Sequence, residues 1–131
     1  MRNRIASGLD WLVAQDANNF NPDGLRHQFR VVVLHGRVVR ACEHVQAHPD
    51  EACNEINGAS STLVAIDDLP PELYQLALSA TKSLGLPFAG VDLAVENGGV
   101  VFEVNVHPAF GSELGLETVA IPYVEAHLAM V

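Results

Sequence analysis

Two β-rich runs, residues 88–96 and 99–108, flank the pair Asn97-Gly98. Asn-Gly between alternating apolar residues is the strongest short-range hairpin signal, because both residues tolerate the positive φ of a tight turn. A two-residue turn there sets Val95 opposite Val100, Leu93 opposite Phe102 and Val91 opposite Val104. One face is then wholly apolar. The other carries Asp92 directly opposite Glu103, with Gly90 opposite Asn105. A slip of one residue would pair Asp92 with Val104 and mix the faces, so the pattern argues for its own register.

Directly opposed side chains have Cβ atoms about 4.5–5.5 Å apart, and like charges there are destabilising. A positive group between Asp92 and Glu103 is therefore expected. Two carboxylates and the amide oxygen of Asn105 are hard donors, the kind Mg2+ accepts while keeping waters and taking phosphate oxygens. Gly90, with no Cβ, leaves backbone open to a bulky polyphosphate. The same residues also read as the wet face of a half-covered hairpin, where Asp and Glu are ordinary.

With 131 residues, 49% of them hydrophobic and 18% charged, the chain is globular and long enough for one modest core. Its formal charge of −9 and its single lysine, Lys82, would repel a phosphate backbone, so nucleic acid is excluded as a partner. A polyphosphate would need a cation to offset the same charge. No apolar run approaches bilayer length, and Met1-Arg2-Asn3-Arg4 is followed by Ser7, Gly8 and Asp10 rather than a signal core. Cys42 and Cys53 are too few for a disulfide scaffold, so a reduced, cytoplasmic protein with no membrane partner is expected.

Ser7-Gly8-Leu9-Asp10 predicts a capped helix running to about Ala17, with Trp11 as a packing anchor, and residues 18–24 end it with turn formers. Residues 29–35 and 38–43 predict a second hairpin turning at Gly36-Arg37, with Arg30 and Arg40 facing the same way. Residues 44–57 read as an exposed loop; His44, His48 and Cys53 within it, with Cys42 just before it, match no usual zinc spacing. A short strand over 62–66 precedes a helix started by Asp68-Leu69-Pro70-Pro71-Glu72. Its stripe is Leu73, Leu76, Ala77, Ala80 and Leu84; Gly85 and Pro87 end it. That helix should cover the apolar face of the Asp92 hairpin. Residues 110–116 suggest a loop or broken helical turn, and 122–131 a terminal helix with Tyr123, Val124 and Leu128 inward. The fold class expected is α+β, an antiparallel sheet with helices packed on one face.

Gly90-Val91-Asp92-Leu93 followed by Phe102-Glu103-Val104-Asn105-Val106-His107-Pro108 resembles the metal-binding end of the ATP-grasp superfamily, in the branch of ribosomal-protein glutamate ligases and glutathione-synthetase-like enzymes. The resemblance runs from about Phe29 to about Val124, giving an N-terminal helix-and-turn segment, 1–28, and a partial ATP-grasp-like domain, 29–131. It implies that Asp92, Glu103 and Asn105 hold the Mg2+ (or Mn2+) ions that bridge the phosphates of ATP. It implies for Arg30 a catalytic and nucleotide-binding role as a phosphate clamp. Asn57, or Asn54, ahead of Gly58-Ala59-Ser60-Ser61, corresponds to an Asn near the phosphates. His107 extends from the strand face of Glu103 and Asn105.

The implied activity joins a small-molecule or peptide carboxylate to an amine through an acyl phosphate. Catalysis there is positioning plus metal electrostatics, with no side-chain nucleophile. The chain resembles only the second of the two subdomains that grip ATP. The lysine-bearing first subdomain and the segment that hydrogen-bonds adenine have no counterpart. The chain therefore reads as a fragment or truncated member of such a ligase. Two other readings stand: a non-catalytic interaction module, working as a homodimer or beside a complementary ATP-grasp half, and a small metal-binding protein that takes no nucleotide.

Overall fold

Among the described residues five strands pair wholly antiparallel: β1 (Arg26–Leu34), β2 (Arg37–Gln46), β3 (Ser60–Val64), β4 (Phe88–Ala94) and β5 (Val100–Asn105), in the spatial order β3-β2-β1-β4-β5. With α1 (Pro71–Ser83) and α2 (Ile121–Leu128) they make an α+β fold. This computed structural model describes residues 14–109 and 115–131. Most of the helix expected over 7–17, with Trp11, lies outside them, as does most of the 110–116 loop; residues 14–17 are not helical.

The first hairpin turns one residue earlier than expected, at His35-Gly36, where φ is 46° and 77°. It is also longer than expected. The alternation Arg40, Cys42, His44, Gln46 carries β2 through to Gln46, and His44 and Gln46 are buried rather than part of an exposed loop.

In the second hairpin Gly90, Val91 and Asp92 face Asn105, Val104 and Glu103, as expected. Leu93 and Ala94, however, face Val101 and Val100, because Phe102 is an extra residue in β5. Such a bulge sets two residues against one and re-aims the strand. Val101 and Val104 both pack on the core, while Phe102 is 42% exposed, so the expected pairs Leu93–Phe102 and Val95–Val100 do not form. The connection is correspondingly not a two-residue turn. It is a short 3-10 turn, Glu96–Gly98, followed by Gly99, with positive φ at Asn97, Gly98 and Gly99 in succession.

α1 starts with proline at its N-terminus and an acid in its first turn. It ends in a Schellman arrangement: Leu86 N–H donates to Thr81 O at 3.0 Å and Gly85 N–H to Lys82 O at 3.1 Å, with Gly85 at φ 66°. The helix lies on the apolar face of the sheet, where Leu69, Leu73 and Ala77 meet Phe29, Val31, Val33, Ala41, Val91 and Leu93. Full burial of a Val or Leu side chain stabilises by about 1.5–3 kcal/mol. Leu84 does not join this stripe. It is the C-cap, already past the helical periodicity, and is 60% exposed. Thr81 takes the inward place, its hydroxyl donating back to carbonyls of its own helix.

The terminal helix is anchored differently from expectation. A π-type turn, Leu116–Ala120, precedes α2 and changes the phase of its inward face. Val119 becomes the buried anchor, while Tyr123, Val124 and Leu128 are exposed. Tyr123 still meets Phe88 edge to face at 4.9 Å.

Candidate functional site

The site follows from strand register. Because β1 pairs with both β2 and β4, one rung of the sheet runs Leu63, Cys42, Arg30, Asp92, Glu103 across all five strands. The next rung carries Arg40, Val32, Gly90 and Asn105. Side chains of one strand that are two residues apart share a face, so Arg30, Asp92, Glu103 and Asn105 gather opposite the face that α1 covers.

Arg30 grips Asp92 at two points, Nε donating to Oδ1 and Nη2 to Oδ2, each at 2.7 Å. The Asp92 side chain is 7% exposed and that of Arg30 26%. Burying a carboxylate without a partner would be very costly, and the fork geometry of a guanidinium matches it. The hydrogen bonds to Asp92 hold the Arg30 guanidinium above its ordinary pKa against the opposing effect of burial, and the charges of Glu103 and Glu55 add to this. Arg30 thus neutralises Asp92 from the strand on the side away from Glu103, and not from between the two carboxylates. Glu103 itself is exposed, and among the described residues its carboxylate has no hydrogen-bond or ion-pair partner.

The space at Gly90 is used differently from the sequence reading. A Cβ built there would lie 2.8 Å from Cβ of Pro108. The missing side chain admits the buried Pro108 ring, which folds the chain after β5 back over the rung beside Asn105; it does not leave open backbone. His107, one residue earlier, is exposed.

The loop after β2 is tied down by Gln46, whose Nε2 donates to Ala52 O at 3.1 Å and Asn57 O at 2.9 Å. Asn54 caps the turn Glu55–Asn57, its Oδ1 accepting from Asn57 N–H. Asn57 is exposed, and among the described residues its side chain makes no hydrogen bond. The fold therefore brings Arg30, Asp92, Glu103 and Asn105 together and leaves Asn57 on the neighbouring loop. Glu55, from the same turn, acts electrostatically on Arg30.

Two histidines gain importance from the structure. His44, on the Arg30 face of β2, is 5% exposed, and among the described residues its Nδ1 has no hydrogen-bond partner; burial, then the charge of Arg30, pushes its pKa down. The period-two pattern of β2 was the signal for it. His27 lies between two carboxylates, Nδ1 2.7 Å from Glu43 and Nε2 2.7 Å from Glu96, and so ties the β4–β5 connection to β2. Nothing local in the sequence marks that contact.

The sequence profile of the RimK-like ATP-grasp domain matches residues 10–120. The chain belongs to this family. A probable alpha-L-glutamate ligase of Parasynechococcus marenigrum (strain WH8102) is 43% identical over 90 residues, 68% of this chain and 18% of that protein. Another from Maridesulfovibrio salexigens is 32% identical over 112 residues, 82% of this chain and 36% of the relative. This RimK-like chain thus spans well under half the length of the curated relatives it matches. The solved structure of the ATP-grasp ligase PsnB with a phosphomimetic variant of its minimal precursor, Mg and ADP has the same fold. Its TM-score is 0.57 at 22% identity, over 79% of this chain and 32% of that one. PsnB with precursor peptide PsnA2 and AMPPNP gives a TM-score of 0.57 at 21% identity over 78% of this chain and 31% of PsnB. Among the described residues of the RimK-like chain, no helix is long and apolar enough to cross a membrane.

Proposed function

We propose that this chain provides the metal-nucleotide half of an ATP-dependent carboxylate-amine ligase. Asp92, Glu103 and Asn105 are the ligands of Mg2+, with Mn2+ as a substitute, and Arg30 is the phosphate contact. The observation that carries this reading is the rung Arg30–Asp92–Glu103 with Asn105 beside it. The donor set fits the ion: an exposed carboxylate with no described partner, a buried carboxylate facing it across the strands, and an amide, all offering hard oxygens. When bound, the ion supplies positive charge against the polyphosphate and against the two opposed carboxylates.

Within the complete enzyme, a substrate carboxylate oxygen takes the γ-phosphoryl group of ATP, giving ADP and an acyl phosphate. The amine nitrogen then attacks the acyl carbon, phosphate leaves, and the nitrogen loses a proton. Asp92 and Glu103 position, Arg30 clamps, and no side chain of this chain acts as nucleophile. The relatives named as probable alpha-L-glutamate ligases support glutamate as one substrate, and the peptide-bound PsnB structures support a peptide as the other. Free Cys42 and Cys53 accord with a cytoplasmic setting.

The test is displacement of a fluorescent ADP analogue by ATP. Binding that needs Mg2+ and is reversed by EDTA supports the reading; the same binding in EDTA contradicts it. A second reading, that the chain works against a complementary ATP-grasp half, is favoured by the exposure of Leu116, Ile121, Val124 and Leu128 around the terminal helix. Co-purification of such a half in a one-to-one complex tests it.

A further inference from the structure

We propose that Arg30 is a built-in stand-in for the metal ion: it neutralises Asp92 until ion and nucleotide arrive, then leaves Asp92 for the phosphate. This rests on the site reading above and adds to it a competition internal to the chain.

The geometry carries the argument. Both Asp92 oxygens are taken by Arg30 at 2.7 Å, so in this state the buried carboxylate already has a full cationic partner. An ionised carboxylate retains further lone pairs, so the obstacle to a second cation is charge rather than lack of acceptor sites. At the short distances of one rung, in a partly buried site, two cations repel strongly. Glu103, on the far side of Asp92, is exposed and unpaired among the described residues, so it offers the ion a first point of attachment. Arg30 is the more exposed member of its pair, which leaves its guanidinium able to swing toward solvent while Asp92 stays fixed in β4. A bare divalent ion must displace Arg30 with nothing to receive it. An ion arriving with a polyphosphate brings the anion that does. The chain therefore discriminates against the free ion and in favour of the metal-nucleotide complex.

The experiment measures Mn2+ binding by electron paramagnetic resonance, with and without ADP, on the wild-type chain, Arg30→Gln, Arg30→Lys and Arg37→Gln. Arg37, exposed at the start of β2, controls for loss of one positive charge elsewhere. Arg30→Gln should bind bare Mn2+ about tenfold or more tightly than Arg37→Gln, while binding Mn2+-ADP about tenfold more weakly than wild type. Arg30→Lys, which keeps the charge without the fork, should fall between and serves if the glutamine variant does not fold. Bare-ion affinity unchanged in Arg30→Gln relative to Arg37→Gln would overturn the inference, as would Mn2+-ADP affinity equal to wild type. Adding Asp92→Asn separates the two claims. If that substitution abolishes Mn2+ binding while Arg30 variants leave it unchanged, the site reading stands and the stand-in does not. If Mn2+ binding ignores Asp92→Asn, both fall.

Discussion

Arg30 and Asp92 are 62 residues apart in sequence and share two hydrogen bonds of 2.7 Å across neighbouring strands at the centre of the sheet. The pair joins the two hairpins on the face away from α1. Removing Arg30 leaves the buried Asp92 carboxylate unpaired, so Arg30→Ala should cost about 3 kcal/mol in urea denaturation. A double-mutant cycle with Asp92→Ala should return a coupling energy of about 1–3 kcal/mol, since the second substitution removes the charge that the first strands. Strict additivity would mean that the pair is geometric only.

His27, held between Glu43 and Glu96, makes folding depend on pH. Burial alone would lower its pKa, but the two carboxylates reverse this and hold it above the ordinary 6.5. The folded state then binds the proton more tightly than the unfolded chain. Its contribution is full below about pH 6.5 and is lost as pH rises through the higher folded value. Urea midpoints should therefore fall as pH climbs above neutrality, and His27→Gln should flatten that slope.

Gly90→Ala tests the close approach of Pro108. A Cβ at 2.8 Å from the proline ring forces either β4 or the chain after β5 to move. Overpacking of this kind costs about 1–3 kcal/mol. The thermal midpoint should drop, and Asn105, directly opposite Gly90, should lose its position in the site. An unchanged midpoint would show that the segment after β5 does not pack here.

Two leucines of α1 should respond oppositely. Leu73 is fully buried in the core, so Leu73→Ala should cost about 2–5 kcal/mol. Leu84→Ala, at the exposed C-cap, should stay within about 0.5 kcal/mol. Chemical denaturation of the two variants side by side checks the pair.

How much of this was legible in the sequence depends on whether the determinant was local. Asp92 opposite Glu103 and Gly90 opposite Asn105 could be read because alternation pins register on a half-buried strand. The bulge at Phe102 could not, since Val100, Val101 and Phe102 all favour a strand and nothing marks the extra residue. Asn97-Gly98 promised a two-residue turn, yet Gly99 also takes a positive φ, which lengthens the connection and shifts the pairing beyond Asp92. Leu84 looked periodic with Leu73 and Ala77, but the Schellman ending removes it from the helix one residue too soon. The pairing of Arg30 with Asp92, and of His27 with Glu96, needed β4 to be set beside β1. That is a tertiary choice, invisible to either hairpin alone.

The most direct test of the central claim is calorimetric titration of the folded chain with ATP, with and without Mg2+, repeated on Asp92→Asn and Glu103→Gln. The account predicts heat only when Mg2+ is present, and its loss in both variants. No heat from the folded wild-type chain at about millimolar ATP, or binding indifferent to Mg2+ and to both substitutions, would contradict it.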